Sequence, residues 1–289
     1  MKSAPTILSP LLISFLEGGY VLLGFVSVEP WENPGWMARM RCGLQKGYGT
    51  ELTSRPLFGR TALFVRHRVM EGLSPRRWKL REEELGWLLL ARGVDKVAFS
   101  GVGGGGGGFE VPLRRMESDY LYTYLAGDVG AYVAEGSGET AVCFFRTVGP
   151  MEERALLKLA ESFRYLMLST QRDSAAICRA LRQRYGLPVV EDPRPSQVRR
   201  ADFALLLHPP RRDMTLSERC LAFWPSMRPS CPAVGGVPIR GLFLDVPPAL
   251  VAEIPAGFCP GPILSEAAFR GLIDPGRIKI HGVSLDKDS

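Results

Sequence analysis

The second half of the chain alternates short apolar runs with segments of helical period, and this pattern limits the fold more than any other feature of the sequence. The apolar run at 140–145 (TAVCFF) precedes 151–160 (MEERALLKLA), in which the apolar residues recur on one helical face. Further apolar runs follow at 164–169, 187–190 and 202–207. Such alternation is typical of β-α-β units. We therefore expect a Rossmann-like α/β domain with a largely parallel sheet at 139–289.

The end of the chain continues this pattern less regularly. Apolar runs at 220–224 and 237–245 predict two more strands, and a helix is expected after Ser265. The run at 277–283 (RIKIHGV) is expected to close the sheet.

The first half predicts a smaller α/β domain at 1–138. A strand at 61–69, a helix at 74–92 and a strand at 95–99 form a β-α-β candidate. The segment 29–60 is rich in glycine, proline and aromatic residues and shows little periodicity, so it predicts a long irregular loop that serves as a lid or a binding loop.

A glycine run at 103–108 follows the strand at 95–99, and a helix is expected to begin near Pro112. The run matches G-x-G-x-x-G because every letter is glycine. A dinucleotide site needs the helix to start directly at the turn, whereas 109–111 (FEV) intervenes here and adds a negative charge. The run therefore predicts a flexible glycine-rich loop, with a phosphate cradle as the alternative.

Charge and composition do not favour nucleic acid or a membrane. The formal net charge is +6, but acidic residues interrupt the arginine clusters and no long block of like charge occurs. No RNA- or DNA-binding motif accompanies the clusters. The N-terminal apolar run lacks a cleavage site, and no apolar span is long enough to cross a bilayer, so we expect a cytoplasmic protein.

Cysteine and histidine spacing predicts no metal site. The six cysteines lie far apart without a C-x-x-C pair, and the three histidines, His67, His208 and His281, are isolated in sequence. The cysteines are expected to be small buried hydrophobic residues in a reducing compartment. No cofactor can be named from the sequence.

Polar residues follow several strands of the second half, where open α/β sheets bind ligands. The candidates for a ligand site are Arg146 and Thr147, Ser169, Thr170 and Arg172, and His208, Arg211 and Arg212. Several arginines at one edge suit a phosphate or carboxylate. The same residues also suit ordinary solvated loops and helix caps.

Three functional classes follow from these residues. The sequence favours a non-catalytic Rossmann-like binding or interaction module that senses a small anionic ligand through Arg146, Arg172 and Arg211, because no nucleophile accompanies them. The first alternative is an enzyme acting on a phosphorylated or nucleotide-like substrate, with His208 as the catalytic base. The second is a structural partner protein or homo-oligomer, with contacts through the segment that holds Trp31 and Trp36.

Overall fold

The computed structural model describes residues 22–30, 48–69, 74–101, 113–115, 119–135, 138–172, 174–225 and 234–285. The chain forms two compact units, each with its own sheet. Unit 1 comprises Met1–Glu117 and Ala249–Ile263, and unit 2 comprises Ser118–Pro248 and Leu264–Ser289. Whether the chain divides into independently folding domains at the expected boundary, 138/139, stays a prediction. By contacts the division falls earlier, because two helices at 120–134 pack on unit 2 elements.

Unit 1 is built on a mostly parallel sheet with the strand order β2-β3-β1-β4-β5 among the described residues. Its strands are β1 (Leu22–Pro30), β2 (Tyr48–Leu57), β3 (Arg60–Val69), β4 (Val94–Gly101) and β5 (Arg114–Arg115). Helix α1 (Pro75–Ala91) connects β3 to β4, and both strands pair with β1 in parallel. The expected β-α-β unit is therefore present, with β1 inserted between its strands.

Two expectations for unit 1 are corrected. The irregular loop predicted at 29–60 contains strand β2, which pairs with β3 along its whole length through a two-residue turn at Phe58 and Gly59. Both turn residues have positive φ, 47° and 75°, as a tight hairpin requires. The helix expected near Pro112 is also wrong, since Arg114–Arg115 forms β5 and the next described helix begins at Tyr120. Residues 31–47 and the glycine run at 103–108 lie outside the described residues.

The two faces of the unit 1 sheet are covered by different parts of the chain. Alternate residues of the strands, such as Val26 and Val65, pack with Leu85 and Leu89 of α1. The opposite face packs against a segment that arrives from far along the sequence and contributes Ile263. This segment, 249–263, contains α7 (Pro248–Val251) apart from its first residue and the start of α8 (Pro260–Phe269). We call it the strap.

Unit 2 contains the sheet expected from the second half. Among the described residues its strand order is β12-β11-β10-β9-β6-β7-β8. The strands are β6 (Thr140–Phe145), β7 (Tyr165–Thr170), β8 (Val189–Glu191), β9 (Phe203–Leu206), β10 (Leu221–Phe223), β11 (Val237–Asp245) and β12 (Lys279–Leu285). All neighbours pair in parallel except β11 and β12. Counted from β6, the order is 3-2-1-4-5-6 with an antiparallel edge strand, so the predicted Rossmann-like α/β fold is confirmed.

The helices of unit 2 lie on both faces of this sheet. They are α2 (Tyr120–Tyr124), α3 (Ala126–Ala134), α4 (Pro150–Ser162), α5 (Ala175–Tyr185) and α6 (Pro195–Val198), followed by the part of α8 from Leu264 onward and a 3₁₀ turn at Pro275–Arg277. Side chains that alternate along β6 divide between two cores. Cys143 and Phe145 pack with Leu156 and Leu159 of α4. Val142 and Phe144 belong to a second core on the other face, formed with the following buried residues: Val198, Ala201, Met214, Leu216 and Cys220.

In the described part of the chain, no helix is both long enough and apolar enough to cross a membrane.

Candidate functional site

The three neighbouring strands β9, β6 and β7 end at one edge of the unit 2 sheet. They pair in parallel, so their carboxyl ends lie side by side. This is also the point where the strand order reverses, because the chain continues from β6 to β7 on one side and reaches β9 on the other. Open α/β sheets bind ligands at such a switch point.

Backbone hydrogen bonds hold the loops after these strands together. The amide of Gln171 donates to the carbonyl of Arg146 at 3.2 Å, which joins the loop after β7 to the loop after β6. The amides of Leu207 and His208 both donate to the carbonyl of Phe144, at 3.1 and 2.9 Å. The loop after β9 is thereby tied to the end of β6. The predicted site residues on the three loops therefore belong to one continuous edge.

The side chains of Gln171 and His208 meet across the end of β6. The amide nitrogen Nε2 of Gln171 lies 2.7 Å from Nε2 of His208. The two residues follow strands on opposite sides of β6, roughly 10 Å apart by the usual spacing of strands. Their contact therefore bridges the switch point, and we call it the Gln171–His208 bridge. The amide donates to the ring when Nδ1 carries the imidazole proton.

Gln171 was missed in the sequence analysis. It stands between the predicted residues Thr170 and Arg172, but a neutral amide in a polar loop carries no signal of its own. Only the strand order shows that it lies two strands away from His208 and can reach it.

The remaining predicted residues occupy this edge with different surroundings. Arg146 and Arg172 are exposed and form no ion pair with any described residue. The hydroxyl of Thr170 donates to the carbonyl of Arg172 at 2.5 Å, so it supports its own loop. Nε of Arg211 lies 3.8 Å from Oδ1 of Asp213, and both side chains are more than half exposed. Thr147 and Ser169 are partly buried beside the strand ends, and Arg212 is exposed in the turn after β9.

The first turn of α4 carries negative charge toward the switch point. The amide of Gly149 donates to Oε2 of Glu152 at 3.1 Å. Pro150 is the first helical residue and has no N–H to offer. Glu152 and Glu153 both lie in the first turn, where they interact favourably with the helix dipole. The amide of Gly149 is therefore bonded within the chain, and the first helical residue offers no amide.

His67 and its neighbours Arg66 and Arg68 belong to unit 1. His67 lies in the unit 1 core, where its Nδ1 is 2.9 Å from the hydroxyl of Thr50. Arg66 and Arg68 lie on β3, which is internal to its sheet, and both side chains lie within 3.8 Å of the Glu29 carboxylate. Within the ranges that the structure describes, no three His, Cys, Asp or Glu side chains are arranged to hold a metal ion.

Comparisons with known proteins give distant structural similarity alone. No family model matches the chain, and no curated protein sequence matches it. Among solved structures, a probable ornithine cyclodeaminase from Bordetella pertussis Tohama I has 9% identity and a TM-score of 0.29, with 62% of this chain and 48% of that chain covered. The iminosuccinate reductase of Paracoccus denitrificans, in complex with NAD⁺, has 12% identity and a TM-score of 0.27, with 55% and 51% covered. The chain thus spans about half the length of these two proteins.

A quinate dehydrogenase from Corynebacterium glutamicum, in complex with NAD, has 11% identity and a TM-score of 0.28, with 70% of this chain and 79% of that chain covered. All three proteins are enzymes by the names they carry, so this comparison contradicts the prediction of a non-catalytic binding or interaction module. TM-scores below 0.5 carry no residue's role over to this chain.

Proposed function

We propose that the protein is an enzyme that acts on a phosphorylated or nucleotide-like substrate at the carboxyl edge of the unit 2 sheet. The observation that carries the proposal is the Gln171–His208 bridge, with its 2.7 Å contact at the switch point. Histidine is the side chain best suited to exchange a proton near neutral pH. The Gln171 amide orients the His208 ring, and the backbone of His208 is held by Phe144.

Two arginines supply the recognition of the substrate anion in this proposal. Arg146 and Arg172 follow adjacent parallel strands, and both side chains are exposed at the same edge. A guanidinium offers a planar fork of donors that matches the oxygens of a phosphate. Thr147 and Ser169 add hydroxyl groups near the strand ends. Arg211 and Arg212 contribute positive charge from the loop after β9.

His208 is the acid–base residue in this proposal. With Nδ1 protonated, Nε2 accepts the Gln171 N–H and holds a lone pair at the switch point. A bound substrate replaces the Gln171 N–H at Nε2, and the ring then takes a proton from the reacting group. Gln171 is a positioning residue, because it orients the imidazole before the substrate takes its place at Nε2.

We also propose a cytoplasmic location. Cys143, Cys178 and Cys220 are buried with free thiols. Burial, with a further contribution from Asp202, raises the pKa of Cys220 to about 12, so this thiol stays protonated and unreactive at neutral pH. A reducing compartment suits such cysteines. Alkylation of the intact protein in rapidly quenched cells, with and without reductant, tests this location through the redox state of exposed Cys259.

The proposed function is tested in two steps. Native mass spectrometry of the gently purified protein, followed by thermal-shift screening of nucleotides and sugar phosphates, identifies the ligand class. Turnover is then measured for His208→Ala and for His281→Ala, an exposed histidine on edge strand β12. We expect His208→Ala to lose roughly 10²–10⁴-fold in kcat, the usual contribution of an acid–base residue. Full turnover by His208→Ala would refute the catalytic role.

A second set of variants tests recognition of the anion. We expect Arg146→Ala and Arg172→Ala to raise KM roughly tenfold or more, since a charge-assisted contact contributes about 1.5–3 kcal/mol. Arg179→Ala removes an exposed arginine from α5 and is the matched control. Equal effects from all three variants would show that only net charge matters and would contradict the assigned contacts.

A further inference from the structure

The unit 2 sheet has the strand order that binds dinucleotides in Rossmann folds, so its switch point can be compared with the needs of that ligand. A dinucleotide requires a glycine-rich first turn, free amides at the start of the following helix and an open path across the strand ends. The residues present fit these three requirements poorly.

The first turn lacks the glycines that let a pyrophosphate approach the backbone. Between β6 and α4 the chain reads Arg146-Thr147-Val148-Gly149-Pro150, with one glycine in place of the G-x-G-x-x-G pattern. Arg146 and Val148 would place side chains where the pattern needs bare backbone.

Positions 149 and 150, at the start of α4, offer no backbone donor to a pyrophosphate. The Gly149 amide already donates to the Glu152 carboxylate, and Pro150 has no N–H. The carboxylates of Glu152 and Glu153 would face the two negative charges of a pyrophosphate. Because like charges repel, these carboxylates oppose the attraction that the start of a helix has for phosphate.

The path of an extended dinucleotide crosses the Gln171–His208 bridge. Such a ligand runs from the end of β7, past the start of α4, to the end of β9. The Gln171–His208 bridge joins those same two strand ends at 2.7 Å, so an extended dinucleotide would have to break this contact.

We infer that unit 2 does not bind NAD or NADP at its switch point, and that this edge takes a ligand with a single phosphate group, held at Arg146 and Arg172 instead of at the start of α4. The exclusion of NAD and NADP stands independently of the proposed function, whereas the assignment of a single phosphate group rests on it. In dinucleotide-binding Rossmann folds the phosphates lie at the start of the helix that follows the first strand. Here the inferred phosphate position lies in the loops after β6 and β7.

The test is isothermal titration of the full-length protein with NADH, NADPH and AMP. We expect AMP to bind and both dinucleotides to show dissociation constants weaker than about 1 mM, the range of nonspecific contacts. A dinucleotide that binds tighter than AMP overturns the inference. Absence of AMP binding overturns the single-phosphate assignment, while the proposed function is then decided separately by the turnover of His208→Ala.

Variants locate the phosphate. Arg146→Ala and Arg172→Ala are expected to weaken AMP binding at least tenfold, and Glu152→Gln and Arg179→Ala to change it less than about twofold. Glu152→Gln keeps an acceptor for the Gly149 amide and removes the charge. If Glu152→Gln strengthens AMP binding several-fold and the arginine variants do not weaken it, the phosphate lies at the start of α4 and the inference is wrong.

Discussion

His67 lies in the core of unit 1 with 1% of its surface exposed. Burial, and secondly the positive charge of Arg81, lowers its pKa from 6.5 to about 4. The native state therefore holds His67 neutral at pH values where the unfolded chain binds a proton. This contribution to stability is present in full above about pH 6.5 and is lost as the pH falls toward 4.

We expect the His67 ring to resist protonation in a pH titration followed by NMR, because its pKa lies well below 6.5. The His67 ring should stay neutral until about pH 4. The difference between this pKa and the ordinary value of 6.5 lowers the free energy of unfolding by roughly 3 kcal/mol once the ring is charged. His67→Gln and the exposed control His281→Gln assign the signals. A His67 signal that titrates near 6.5 would show that the ring is not buried as described.

Gly130 shows how closely α3 approaches α4 and the sheet. A Cβ atom there would lie 2.1 Å from Cδ2 of Leu159 and 2.9 Å from Cε1 of Phe203. We expect Gly130→Ala to destabilise unit 2 by about 1–3 kcal/mol, which outweighs the gain in helix propensity of about 1 kcal/mol. In urea unfolding, Gly130→Ala combined with Leu159→Ala should be less destabilising than the sum of the single changes. Strict additivity would contradict the close contact.

Some burial patterns could not be foreseen from single residues. Leu80 lies in helix α1 with 48% of its surface exposed, whereas the next residue, Arg81, is 4% exposed. The buried stripe is Arg81, Leu85 and Leu89, at helical spacing with an arginine at one end. Hydropathy assigns arginine to solvent and leucine to the core. It therefore predicts a buried face of α1 that includes Leu80 in place of Arg81. Only the packing of α1 on its sheet decides the matter.

At the scale of elements, the strap at 249–263 is held to unit 1 by specific contacts. The hydroxyl of Ser27 donates to the carbonyl of Gly257 at 2.9 Å, and the guanidinium of Arg66 donates to the carbonyl of Ala256 at 2.5 Å. The ring of Phe258 packs edge-on against Phe64 with centroids 5.1 Å apart. Unit 1 therefore lacks part of its core when it is cut off at residue 138.

We expect the fragment 1–138 to unfold without cooperativity and to bind a hydrophobic dye, because one face of its sheet loses its cover. The same fragment with residues 249–263 attached through a glycine–serine linker should regain a cooperative transition in circular dichroism. A fragment 1–138 that folds cooperatively alone would show that the strap is dispensable and would support the boundary expected at 138/139.

Elements of unit 2 followed from the sequence more fully than those of unit 1. Strands such as β6 and β7 are buried on both faces and therefore appear as continuous apolar runs. Strand β2 was missed because it is an edge strand with mostly exposed residues and a proline, Pro56, near its end. Its pairing depends on the turn at Gly59 and on β3, which are contacts that a local pattern does not contain.

At the scale of the whole molecule, the strand order decides which loops meet. Arg146, Arg172 and His208 could be named from the sequence because each follows an apolar run. That β6 lies between β7 and β9, so that Gln171 reaches His208, depends on pairings across the whole of unit 2. The candidate site was therefore predictable as a set of strand ends, and its bridge was not.

The most direct test of the proposed site is hydrogen–deuterium exchange of the full-length protein with and without the ligand found by native mass spectrometry. We predict that the ligand slows exchange in the loops 146–149, 169–172 and 207–213 at the carboxyl edge of the unit 2 sheet. The opposite edge, where Asp202 accepts from the amides of Glu139 and Thr140 at 2.9 Å, should not change. Protection confined to that amino edge or to unit 1, with the three loops unaffected, would contradict the site.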